Sequence, residues 1–206
     1  MEIFAQEVGK KFGSEWIIKN FNHHFIAEKP CAILGGNGSG KSTLLKIIAG
    51  FMQPGKGNVI YKQKAQEIEP SAVYQQISYA APYLELVEEF TCIESIAFQQ
   101  KFKPYINNIS ANEVLEISGL QHAKEKALKV FSSGMKQRLK LTLAIMADCP
   151  TLMLDEPCSN LDTKAIDWYH MMLDKFAKDK LIIICSNHLQ YEYQICNEQI
   201  NTEVFK

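Results

Sequence analysis

Apolar residues recur along the chain with two periods, and the change from one to the other divides the sequence. Two early segments, EIFAQEV (2–8) and WIIKNFNHHFIAE (16–28), mix β-branched and aromatic residues with polar ones and predict antiparallel strands. PCAIL (30–34) reads as a short apolar strand feeding a glycine-rich stretch. KSTLLKIIAG (41–50) predicts a helix that buries Leu44, Leu45, Ile47 and Ile48 and ends at Gly50. QPGKGNVIY (53–61) reads as a turn into a strand, and ISYA (77–80) as another short strand.

From residue 88 the period changes. Segments such as CIESIAFQQ (92–100) and ANEVLEISGL (111–120) are helical in spacing, and 88–130 holds no strand-like run. The α/β pattern then returns, with a helix over 133–147, a strand TLMLD (151–155), a helix near 163–177 and a strand LIIIC (181–185). Near-continuous apolar strands of this kind belong to a parallel sheet covered on both faces. The expected architecture is one α/β domain over 1–206, with a mostly parallel core, an antiparallel β subdomain and a helical subdomain at about 88–147.

Composition narrows the class. The chain is 47% hydrophobic and 22% charged with a net charge of −1, an ordinary globular balance. Arg138 is the one arginine among 22 basic residues. Base readout and phosphate clamping favour arginine, so no nucleic-acid partner is expected. Six cysteines, none in a CxxC pair, read as reduced and mostly buried thiols of a cytosolic protein. The N-terminus lacks the basic-then-apolar order of a signal peptide, and no apolar run approaches the roughly 18 residues of a membrane span.

GGNGSGKS (35–42) fits the pattern G-x-x-x-x-G-K-[ST], between a predicted strand and a predicted helix. Gly35, Gly36, Gly38 and Gly40, with Asn37, Ser39 and Thr43, form a loop whose backbone N–H groups can converge on phosphate. Lys41 supplies charge to the β- and γ-phosphates, and Ser42 a hydroxyl to Mg²⁺. LMLDEP (152–157) places Asp155 where it can hold the metal through water, and Glu156 where it can polarise an attacking water. FSSGMKQR (131–138) opens a helix with a second anion-friendly terminus, where Ser132 or Ser133 would also serve as a plain cap.

These segments, with SNLD (159–162) and SNH (186–188), come in the order and rough spacing of an ABC-type ATPase, and the resemblance covers essentially the whole chain. It implies a P-loop NTPase fold and Mg-ATP as ligand. It also implies a head-to-tail dimer in which Ser132, Ser133 and Gly134 of one chain meet the ATP held by the other. Asp162 matches the loop that contacts the opposite phosphate loop, and His188 the residue that senses the γ-phosphate. Phe12 aligns with the aromatic that stacks on adenine, Trp16 more weakly; a core phenylalanine of a β-hairpin is the other reading of Phe12. Arg138 reads as a helix-surface contact. The resemblance further implies a separate membrane permease, powered from the cytoplasmic face, with an exporter favoured by the SSGM-type signature. A DNA-repair or translation ABC protein is the rival, without the insertions or tandem cassettes those carry. A poorly hydrolysing regulatory subunit is the other, because Pro82 stands where the family has a glutamine. Glu85, Glu88 and Glu89 are nearby carboxylates, either reaching inward or forming a solvated acidic loop.

Overall fold

The computed structural model describes residues 1–205. Two compact units emerge, the first built from Met1–Ile77, Pro150–Glu156 and the chain from Asp179 onward, the second from Ser78–Cys149 and Pro157–Lys178.

In the first unit β1 (Glu2–Phe12) and β2 (Glu15–Ile26) pair antiparallel, as their mixed patterning predicts. Their register shifts between Ala5 and Val8, where Glu7 takes φ +51°, so Ile3, Ala5 and Val8 are all buried despite unequal spacing. β3 (Cys31–Leu34) leads through the glycine loop into α1 (Lys41–Ile48). That helix stops two residues before the expected end, because Gly50 turns left-handed at φ +75° and its N–H returns to Ile47 O. β4 (Lys56–Gln63) and the two-residue β5 (Gln66–Glu67) complete an antiparallel sheet of order β2-β1-β4-β5. A short helix, α2 (Val73–Gln76), precedes β6 (Ile77–Ala80), which starts at the last residue of this first segment.

β7 (Thr151–Asp155) and β8 (Leu181–Ser186) are buried at every position. β9 (Glu198–Asn201), which the apolar pattern did not announce, closes the parallel order β7-β8-β3-β9. The register sets Leu154 beside Ile184, Ile33 beside Cys185 and Cys31 beside Glu198. β3 is thus a central strand, and its C-terminal end delivers the glycine loop beside the ends of its neighbours, where ligands of open α/β sheets bind.

The second unit holds α3 (Cys92–Phe102), α4 (Ala111–Ser118), α5 (Ser133–Met146) and α6 (Thr163–Phe176). Capping boxes start α3 (Thr91 with Glu94) and α4 (Ser110 with Glu113). The C-terminal carbonyls of α4 find partners on other helices. Arg138 on α5 donates Nε–H to Ser118 O at 2.6 Å, and Trp168 on α6 donates to Ile117 O at 3.1 Å. The Arg138 guanidinium lies 4.3 Å from the Trp168 ring centre. Burial lowers its pKa below the ordinary value, and the charge of Asp162 opposes that shift.

Among the described residues no helix is long and apolar enough to cross a membrane. No disulfide joins the six cysteines; five are buried and Cys196 partly so.

Candidate functional site

Two cavities gather most of the residues singled out in the sequence, one in each unit. The first, of about 320 Å³, is lined by Phe12, Ile17, Glu156 and the run 37–43, which is Asn37, Gly38, Ser39, Gly40, Lys41, Ser42 and Thr43. Backbone sterics explain its shape. Gly40 takes φ +98° just before α1, and a Cβ there would meet Ile17 Cγ2 at 2.8 Å. Glycine thus lets the chain pass against Ile17 as it enters α1, whose first residues line the cavity at the positive end of the helix dipole.

Lys41 is held by its own loop. Its Nζ donates to Gly35 O at 2.9 Å, Gly36 O at 3.0 Å and Asn187 Oδ1 at 2.7 Å. Asn187 also donates its amide to Asn37 Oδ1, so one residue after β8 braces both the lysine and the loop. The Thr202 hydroxyl bonds Ser39 Oγ at 2.8 Å and Leu34 O at 3.1 Å, and the Gly36 N–H donates to Glu203 Oε1 at 3.3 Å. Asn187, Thr202 and Glu203 escaped the sequence reading. SNH was noted for its histidine, and nothing local to a C-terminal Thr-Glu pair ties it to a loop more than 160 residues away.

Glu156 follows β7 with φ +44°, a left-handed conformation rarely adopted by a residue with a side chain, and its N–H donates to Cys185 O at 2.9 Å. That strained corner lets Asp155 remain buried at 1% exposure while the next carboxylate reaches the cavity wall. Phe12 is 52% exposed at the end of β1, so the hairpin-core reading of this residue is overturned. Its ring is open to a planar ligand, with Lys10 Nζ 5.9 Å from the ring centre. His188 is exposed at φ +62° and is not among the residues lining the cavity.

The second cavity, of about 390 Å³, lies wholly in the other unit and brings Ser132, Ser133, Gly134, Arg138 and Asp162 together with Asn160 and His122. Ser132 caps α5, its hydroxyl accepting from Met135 N at 3.2 Å. Gly134 is pressed against the next loop, where a Cβ would come 2.9 Å from Asn160 O. Asp162 caps α6 through Ala165 N at 2.8 Å. Nothing local announced that the serine-glycine segment and the Asp162 loop share one concavity, or that Asn160 at φ +62° joins them.

The stretch around Pro82 is held from α5. Lys140 Nζ donates to Pro82 O at 2.7 Å, and burial lowers the Lys140 pKa, with Lys136 adding to the shift and Glu85 opposing it. Glu85, Glu88 and Glu89 are all exposed, and Glu88 pairs with Lys136.

Comparison with known proteins agrees with this geometry. The profile of the ABC transporter family matches residues 18–159. The uncharacterized ABC transporter ATP-binding protein YcbN of Bacillus subtilis is 27% identical over 186 residues, covering 90% of this chain and 61% of YcbN. The lantibiotic transport ATP-binding protein SrtF of Streptococcus pyogenes is 26% identical over 199 residues, covering 92% of this chain and 81% of SrtF. Among solved structures, the dimeric ATP-binding cassette MJ0796 bound to ADP and Pi superposes with a TM-score of 0.82 at 23% identity, covering 97% of this chain and 93% of that one.

Proposed function

Since this chain belongs to the ABC transporter family and is an ABC-type ATPase, we propose that it binds Mg-ATP in the first cavity, dimerises head-to-tail on that ligand and hydrolyses it to drive a separate membrane permease. One observation carries the reading: a single cavity joins the glycine loop at the start of α1 to the Glu156 carboxylate at the end of β7.

The residues suit a magnesium–triphosphate. The glycine loop, the Lys41 ammonium and a helix N-terminus form an anion cradle, in which Lys41 exchanges one of its three contacts within the protein for phosphate. Ser42 and the buried Asp155 would hold the metal. When bound, the metal neutralises charge that develops on the transferring phosphoryl group. Glu156 accepts a proton from water at the cavity wall. The exposed Phe12 ring stacks on the adenine, and His188 senses the γ-phosphate from the end of β8.

Ser132, Ser133 and Gly134 form a second anion site, with Asp162 alongside, and in this reading they close on the ATP of the partner chain. The permease holds the chain to the cytoplasmic face of the membrane, and export is the direction we favour. SrtF, named for lantibiotic transport, makes a transport role the natural parent of this reading.

Glu156→Gln tests it, because the amide keeps the shape and loses the base. Turnover should fall about 10²-fold or more while ATP binding persists, and the variant should form a dimer with Mg-ATP in light scattering. Unchanged turnover would remove Glu156 from its role. Pro82 favours a second reading, a regulatory subunit with weak intrinsic turnover. Wild-type turnover that stays near background even beside its permease would select it.

A further inference from the structure

Away from both cavities, three side chains of different chemistry converge where the two sheets of the first unit face each other. His23 comes from β2, Cys31 from β3 and Glu198 from β9, and a ring nitrogen, the Sγ and a carboxylate oxygen all lie within 4.8 Å of one another. We propose that His23, Cys31 and Glu198 form a zinc site with three protein ligands and one water, independent of the nucleotide.

The backbone sets up the cluster. Cys31 and Glu198 are direct partners in the parallel pairing of β3 with β9, so their side chains leave the sheet on one face. The N–H groups of Asn197 and Glu198 both donate to Pro30 O, which fixes that register at the strand starts. On the opposing sheet His23 packs edge-on against Phe25, with ring centres 4.4 Å apart, and lies 6.1 Å from Phe21. The aromatic wall orients the imidazole toward the cysteine and the glutamate.

The plain structural role of the imidazole is an ion pair with Glu198. His23 Nε2 is enclosed from solvent and makes no hydrogen bond among the described residues. Glu198 Oε2 stands 3.4 Å from it, an ion-pair distance at the long end for a hydrogen bond. That spacing also suits two ligands of one metal ion. Ligands about 2.1 Å from a tetrahedral zinc lie about 3.4 Å apart, since the edge of a tetrahedron is about 1.63 times its centre-to-corner distance. A nitrogen, a thiolate and a carboxylate together match zinc and are poor partners for magnesium or calcium, which take oxygen ligands.

Burial holds His23 below its ordinary value, with Glu198 opposing that shift and His24 and Lys29 adding to it. Burial, with Glu198 and Cys196 beside it, raises the Cys31 thiol, so release of its proton is a cost that metal binding must overcome and affinity should fall as pH falls. Bound metal would tie β2 to β3 and β9.

Cobalt(II) titration of the reduced, nucleotide-free chain tests this. One equivalent should bind and give a near-ultraviolet thiolate-to-metal charge-transfer band, which zinc then abolishes by displacement. Cys31→Ala should lose the band. Glu198→Gln and His23→Gln should weaken binding about 10-fold or more, and zinc should raise the melting temperature of the wild type more than that of either variant. Glu198 is partly exposed, so its variant keeps the test alive if the buried ones fail to fold. Absence of the band, its survival in Cys31→Ala, or cobalt bound through oxygen alone, as at Ser42 and Asp155, would overturn the site.

Discussion

Phe12 shows how a single side chain can report on a ligand. A large aromatic at the end of a hairpin strand normally turns inward, yet this one is 52% exposed beside the glycine loop. Removing it therefore costs the fold little, and whatever it costs will appear in binding. Stacking of a base on an aromatic ring is worth about 1–3 kcal/mol. Phe12→Ala is accordingly expected to weaken ATP binding about 10-fold, read by fluorescent-nucleotide titration, with no shift in melting temperature. A fall in melting temperature with unchanged affinity would return Phe12 to a packing role. Most residues of this cavity were legible in the sequence because they are contiguous: a loop of spaced glycines and a lysine is chemistry written in a row. Asn187, Thr202 and Glu203 were not, since each acts on the loop from a distant segment through one polar atom, and an isolated amide or hydroxyl carries no periodicity to read. Arg138 lay between these cases. Its place on a helix was visible, but its bridge from α5 to the end of α4 and to Trp168 appears only once three helices are assembled.

At the scale of elements, apolar runs decided what was foreseen. β7 has the expected bounds and β8 runs one residue further, both strands being buried on each face and so apolar throughout. β9, Glu-Gln-Ile-Asn, pairs with β3 at the sheet edge, where polar residues suffice, and so gave no signal. The starts of α3 and α4 have a consequence for acid stability. Hydrogen bonds from Thr91 and Ser110 hold Glu94 and Glu113 below the usual carboxylate value of 4.5. A depressed pKa means that the folded state binds protons less readily than the unfolded one. The stabilisation is complete above pH 4.5 and fades as pH falls through the lower folded value. Both carboxylates are exposed, so solvent and salt screen the effect. The double variant Thr91→Ala/Ser110→Ala should melt below wild type at neutral pH, with the gap narrowing as pH drops below 4.5. A gap of constant size from neutral to acid pH would show that the hydroxyl bonds to the two glutamates contribute nothing through charge.

For the molecule as a whole, the question is why one chain carries two anion-friendly cavities, one in each of its units. The head-to-tail proposal makes each cavity half of a site and predicts complementation between differently damaged chains. Lys41→Ala removes the charge from the glycine cradle. Ser132→Asp keeps the cap of α5, because aspartate caps as well as serine, but sets a negative charge where phosphate would arrive. Each variant alone forms dimers with both composite sites damaged, and each should be inactive. In a mixed dimer the two lesions fall on the same site, which leaves the other with an intact cradle from one chain and an intact serine-glycine terminus from its partner. Random pairing makes half the dimers mixed, so an equal mixture should recover about a quarter of the wild-type ATPase rate per chain. The recovery should follow the square of chain concentration when dimers are scarce, since the active species needs two chains. If each cavity instead served its own chain, mixing would leave the rate at the average of two dead proteins whatever the concentration.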